Sequence, residues 1–168
     1  MIKHAVLYKQ DLPRPYTVKM INLRFLKEFK KSQHGKKEVP FYELHGKTFK
    51  EMERYIMSPD RDEGIEKINE NLPSGKDIYS QSAYYLRAFS RSQIFEDANH
   101  RTGLFCLRQV VKIRGYELKA SVEDVQQLGD YLKSHFYIHQ GEIMVNLKEK
   151  DDVYDVIYDW IKPRLDLR

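Results

Sequence analysis

Phe95-Glu96-Asp97-Ala98-Asn99-His100-Arg101-Thr102-Gly103 brings carboxylates, an amide, two groups able to carry positive charge and two small residues into one short stretch. On its N-terminal side Ile78, Ala83, Leu86 and Phe89 keep roughly helical spacing; on its C-terminal side Leu104, Leu107, Val110 and Val111 resume it. The polar stretch is therefore expected to be a turn between two helices that pack into a core.

Working outward, the same periodicity recurs. Val18, Ile21, Phe25 and Phe29 share a face after Pro13 and Pro15, in a helix expected to close near His34-Gly35. Val39 to Leu44 is the most strand-like run, and Pro40 confines it to an edge or hairpin, so a small β-hairpin flap is expected near residues 37–48. Thr48 with Glu51 reads as a capping box ahead of Phe49, Met52 and Ile56. A short helix follows around Ile65 and Ile68. Ser121 with Asp124 is an acidic version of the capping box before Val125, Leu128 and Leu132, and Val153, Ile157, Trp160 and Ile161 form a last helix ending at Pro163. Gly115 closes the helix after the polar turn in a left-handed cap. All six prolines lie between or at the ends of these segments, as a helical protein requires. The expected fold is all-α, one domain over residues 1–168, with at most a small hairpin.

The single Cys106 lies in an apolar helical run and reads as a core residue, which leaves no disulfide framework or cysteine metal pattern. No apolar stretch is long enough to span a bilayer, and Met1 to Val6 lack the apolar run of a signal peptide, so a soluble, cytoplasmic protein without a membrane partner is expected. A net charge of +4 and a pI near 9.0 permit nucleic acid or acidic partners without requiring them. The lysines at 27, 30, 31, 36 and 37 read first as a solvated helix end and loop, with nucleic acid as the less favoured alternative. His135 and His139, four apart, could share a helical face, but no further ligand pattern accompanies them.

The turn itself supports two readings. At a helix start, backbone amides and the helix dipole favour an anion by about 0.3–2 kcal/mol, and Arg101 would add a forked cationic donor set. Asp97 would repel a bare phosphate, and suits one accompanied by a divalent cation. Alternatively Asp97 or Asn99 caps the helix, Arg101 lies on the surface, and Ala98 and Gly103 are there for close packing.

The stretch resembles the signature loop of the Fic and Doc family, His-x-Phe-x-Asp/Glu-Gly/Ala-Asn-x-Arg between two helices. Phe95, Asp97, Ala98, Asn99 and Arg101 match it in register; Ala98 in place of glycine is closer to the Doc branch, and Gly115-Tyr116-Glu117-Leu118 resembles the family's Gly-Tyr-x-Leu ending. The resemblance implies a Fic/Doc-type helical bundle. It implies Mg²⁺ on Asp97, and ATP phosphates held by Ala98, Asn99, His100, Arg101, Thr102 and Gly103. The implied activity is transfer of AMP, or of phosphate in Doc-like members, to a hydroxyl side chain of a target protein, with an antitoxin-like regulator as a further partner.

One position departs from that pattern. Gln93 stands where the family's catalytic histidine is expected, and a glutamine amide cannot accept the proton of an attacking hydroxyl. Losing a positioned base typically costs about 10²–10⁴ in rate. Positioning and charge stabilisation by Asp97, Asn99 and Arg101 would remain, so the expectations are an impaired adenylyltransferase or phosphotransferase, or a degenerate member acting as a binding module. His100 is a poor substitute base, because it sits at a position suited to facing phosphate or solvent.

Overall fold

The computed structural model describes residues 5–31, 38–44, 46–92, 94–95, 98–135, 137–140, 143–146 and 150–168. The chain is mostly helical. In order it forms α1 (Pro15–Leu26), β1 (Phe29–Lys31), β2 (Glu38–Pro40), α2 (Phe41–Leu44), α3 (Phe49–Met57), α4 (Asp62–Glu70), α5 (Ile78–Ser92) and α6 (Asn99–Ile113). Then come β3 (Tyr116–Leu118), α7 (Val122–His135), β4 (Tyr137–Gln140), β5 (Ile143–Asn146), α8 (Lys150–Ile161) and β6 (Leu165–Leu167).

Helices α5 and α6 form the centre, with α8 against α5 and both α1 and α7 against α6. Their facing side chains explain why: Ile78, Ala83, Tyr85 and Phe89 on α5, and Leu104, Leu107, Val110 and Val111 on α6, are buried. Each large apolar side chain buried in this way contributes about 1.5–3 kcal/mol. Phe95, in the turn itself, is also buried and joins this core. Cys106 is fully buried, and burial pushes its thiol up to about 12 despite a smaller lowering by the Tyr85 hydroxyl beside it, so it stays protonated.

Both capping boxes form. Thr48 Oγ1 accepts from Glu51 N at 3.2 Å while Thr48 N donates to Glu51 Oε1 at 3.4 Å; Ser121 and Asp124 exchange the same pair at 3.0 and 2.9 Å. Gly115 takes the left-handed conformation, φ +82°, and ends α6.

Two boundaries differ from the sequence expectation. α1 ends at Leu26 rather than near His34-Gly35, because Phe29–Lys31 leave the helix to pair antiparallel with Glu38–Pro40, Phe29 opposite Pro40. The strand-like run is likewise split: Pro40 has no N–H to continue the ladder, and Phe41–Leu44 turn into helix instead. Residues 37 and 45 of the expected flap, and the expected helix end at His34-Gly35, lie outside the described residues. Two further antiparallel ladders were not expected. β3 pairs with β6, Tyr116 opposite Leu167, and β4 pairs with β5. These strands are three or four residues long, too short for a period-2 pattern to stand out.

The segment before α1 is pinned to the central pair. Gln81, buried on α5, accepts the Leu7 N–H at 2.7 Å and donates to the Leu7 carbonyl at 2.9 Å. Arg114, at the end of α6, forks onto Asp11 with contacts of 2.7–2.9 Å. Such bidentate pairs fix orientation as well as adding charge-assisted hydrogen bonds.

Candidate functional site

The polar turn lies between the C-terminus of α5 and the N-terminus of α6, as the periodicity on either side requires. Gln93, Glu96 and Asp97 lie outside the described residues, so the expected motif position and metal ligand have no geometry to report. The remaining turn residues are placed.

Asn99 closes the turn. Its Oδ1 accepts the Phe95 N–H at 3.0 Å and its Nδ2 donates to the Phe95 carbonyl at 2.8 Å, with the side chain almost wholly buried. A buried backbone N–H or C=O left without a partner costs about 1–3 kcal/mol, so this amide is what allows Phe95 to sit in the core. Between them, Ala98 adopts φ +61°, ψ +26°, the left-handed conformation. Among the described residues it is the only non-glycine with positive φ. For an L-residue with a Cβ that conformation costs about 1–2 kcal/mol, and it reverses the chain into α6.

The next residues fan out by helical rotation. Thr102 is fully buried; its hydroxyl donates to the Ala98 carbonyl at 2.7 Å and accepts from Asn22 Nδ2 of α1 at 3.0 Å. Gly103 lies where a Cβ would come within 3.0 Å of Phe89 Cβ, so its lack of a side chain sets how closely α5 and α6 approach. His100 packs on α7, where a Cβ at Gly129 would lie 3.1 Å from its imidazole. Arg101 points toward α1, with its guanidinium 3.8 Å from Glu28 and its side chain one-fifth exposed.

The six residues expected to hold phosphate therefore divide, with Ala98 serving as the left-handed reversal at the helix start. Asn99, Thr102 and Gly103 direct their side chains or Cα into the interior and shape the turn; a ligand would meet them through backbone alone. His100 is held against α7. Arg101 is the charged side chain that opens onto a cleft of about 190 Å³ between α1 and α6, lined also by Arg24, Phe25, Leu104, Phe105 and Arg108. No group of His, Cys, Asp and Glu suited to a metal occurs among the described residues, and the side chains of His135 and His139 are not among them. Among those residues, too, no helix is long and apolar enough to cross a membrane.

Compared with known proteins, the chain finds no matching family model, no matching curated protein and no matching solved structure. What the site can do is therefore read from its own geometry.

Sequence reasoning overlooked Asn22 and Gln81, two buried polar residues that tie the core helices to their neighbours. Neither has a local sequence signal, because each finds its partner far away along the chain. It also overlooked Arg108 and Lys112, which follow Arg101 at seven and eleven residues and so share one helical stripe.

Proposed function

We propose that this chain binds ATP phosphates with Mg²⁺ at the turn between α5 and α6, as a Fic/Doc-like protein related to transferases that modify hydroxyl side chains of other proteins. The observation that carries the reading is the turn's construction. In the matched register, the Ala98 position takes the left-handed backbone that a glycine adopts freely, and Asn99 closes the turn on Phe95. Arg101 is the guanidinium that would turn from Glu28 to a phosphate, and Asp97 would supply the carboxylate for the metal. Placing a strained residue where a motif is matched favours function over simple packing, since such conformations concentrate at ligand sites.

With Gln93 at the position of the base, transfer of AMP or phosphate is slow, and nucleotide binding is the stronger expectation. The test has two arms. Thermal melts with and without ATP and Mg²⁺ should show stabilisation, about 2.7 kcal/mol at a hundredfold excess over Kd, lost in Arg101→Ala and Asp97→Ala. The absence of any ATP or Mg²⁺ effect on melting would sink the reading. ATP labelled at the α- or the γ-phosphate, incubated with candidate target proteins, then distinguishes AMP from phosphate transfer. Transfer by Gln93→His alone would identify a disabled catalyst, and none by either form a binding module.

A further inference from the structure

Two clefts meet on the outer face of α6. The first, between α1 and α6, has Arg24, Arg101 and Arg108 around it; the second, about 320 Å³, is walled by Arg108, Lys112, Lys119 and Arg168. Arg108 lines both, so the clefts adjoin at its side chain and set their cationic groups along one basic track. The carboxylates along it are few: Glu28, 3.8 Å from Arg101, and Glu117, while Lys119 leans on Asp166 at 3.3 Å in an exposed pair. Surface pairs of that kind contribute little. Among the described residues Arg24, Arg108 and Lys112 make no ion pair; Arg24 and Lys112 are exposed and Arg108 is half-buried.

The shape and chemistry of the track narrow the occupant. Arg108 and Lys112 are one turn apart on α6, about 6 Å along the axis, so the cationic groups repeat at the spacing of an extended charged chain rather than around one point. In the second cleft the apolar residues Tyr116, Leu118 and Ala120 are buried and form only its floor, which gives an amphipathic peptide no apolar anchor there. Guanidinium forks on the walls match phosphate oxygens. In the first cleft the half-buried ring of Phe105 and the exposed Val122 offer a face on which a base or sugar can lie.

We propose that the two clefts sharing Arg108 bind the phosphodiester backbone of a single-stranded nucleic acid. The first cleft is the one onto which Arg101 of the α5–α6 turn opens; the proposal nonetheless does not rest on the nucleotide reading, and the variants that test it leave Arg101 in place.

The experiment is an anisotropy titration of labelled single-stranded RNA and DNA oligonucleotides across a salt series. Binding is expected at low salt, with log K falling against log salt by about 0.7 for each phosphate contacted. Arg108→Ala/Lys112→Ala should weaken binding about tenfold or more and lower the slope by about 1.4, two contacts' worth. Arg24→Ala, an exposed position at the far end of the track, should weaken it about threefold. Lys50→Ala/Arg54→Ala removes the same net charge from a different groove, between α1 and α3, and should change affinity less than about twofold. Melting curves establish that each variant is folded. The proposal is overturned by no binding at low salt, or by equal losses in the two double variants, which would mean net charge alone. Poly-glutamate of matched charge competing as well as unlabelled oligonucleotide would make this an acidic-protein surface and overturn it as well. Inorganic polyphosphate competing equally would assign the track to free polyphosphate instead.

Discussion

Helices α3 and α7 begin differently from α6, although all three follow a polar stretch. α3 and α7 start on Thr48 and Ser121, whose side chains exchange hydrogen bonds with Glu51 and Asp124; Thr48 keeps an extended backbone and neither residue takes a positive φ. α6 starts on Ala98, which has no side-chain acceptor to offer and is held in the left-handed conformation. The first two beginnings stabilise a helix locally, each cap being worth about 1 kcal/mol. The third costs about 1–2 kcal/mol and persists only because Asn99, Thr102 and Asn22 hold the surroundings.

The contrast can be broken or sharpened by substitution, beginning with the brace. Asn99→Ala leaves the N–H and C=O of Phe95 buried without partners, and should destabilise the fold by about 2–4 kcal/mol, read by urea or thermal unfolding. A loss below about 1 kcal/mol would show that the turn does not depend on this amide. Gly103→Val forces atoms into Phe89 and should cost about 1–3 kcal/mol, read by the same unfolding measurement; no loss would show that α5 and α6 can part to admit a side chain. Thr48→Ala should cost about 1 kcal/mol and leave any ATP effect on melting unchanged, as expected of a purely structural start.

The Ser121–Asp124 pair adds a pH signature. Hydrogen bonds from Ser121, first its backbone N–H and then its side chain, hold the Asp124 carboxyl below its ordinary value of 3.8. A depressed folded-state value means that the stabilisation is complete above about 3.8 and is lost as pH falls through the lower, folded value. The stability difference between wild type and Asp124→Ala should hold constant near neutrality and shrink only under strongly acid conditions; a difference that changes around pH 6–7 would point to another group. The smallest effect is expected at Ala98. Glycine there relieves the left-handed strain but loosens the unfolded chain, so Ala98→Gly should stabilise by up to about 1 kcal/mol. Destabilisation would mean that the alanine methyl packs usefully enough to outweigh its strain.

Much of this was legible from local pattern. The helices flanking the turn, the burial of Cys106, both capping boxes and the glycine cap at Gly115 depend on residues within a few positions of one another, and spacing alone announces them. The end of α1 was not legible, because Lys27 to Lys31 read as an ordinary helix C-terminus until Glu38–Pro40 arrive to pair with Phe29–Lys31. The β3–β6 ladder was hidden for the same reason, its halves being separated by the whole of α7 and α8. Within the turn, sequence grouped Asn99, Thr102 and Gly103 with Arg101 as ligand-holding residues. Helical rotation of about 100° per residue separates them, sending three inward and one to the cleft.

By itself, then, the sequence determined where most of the longer helices form, how two of them are capped, and that a chemically dense turn joins two core helices. Those are short-range properties, set by side-chain spacing and cap chemistry. Only the tertiary structure decided which turn residues are scaffold and which face a cleft, and that Arg108 joins two clefts into one basic track. Such assignments depend on what packs against each side of α6, and the residues that settle it, Asn22 and Phe89 above all, lie far from the turn in the chain or across the helix pair from it.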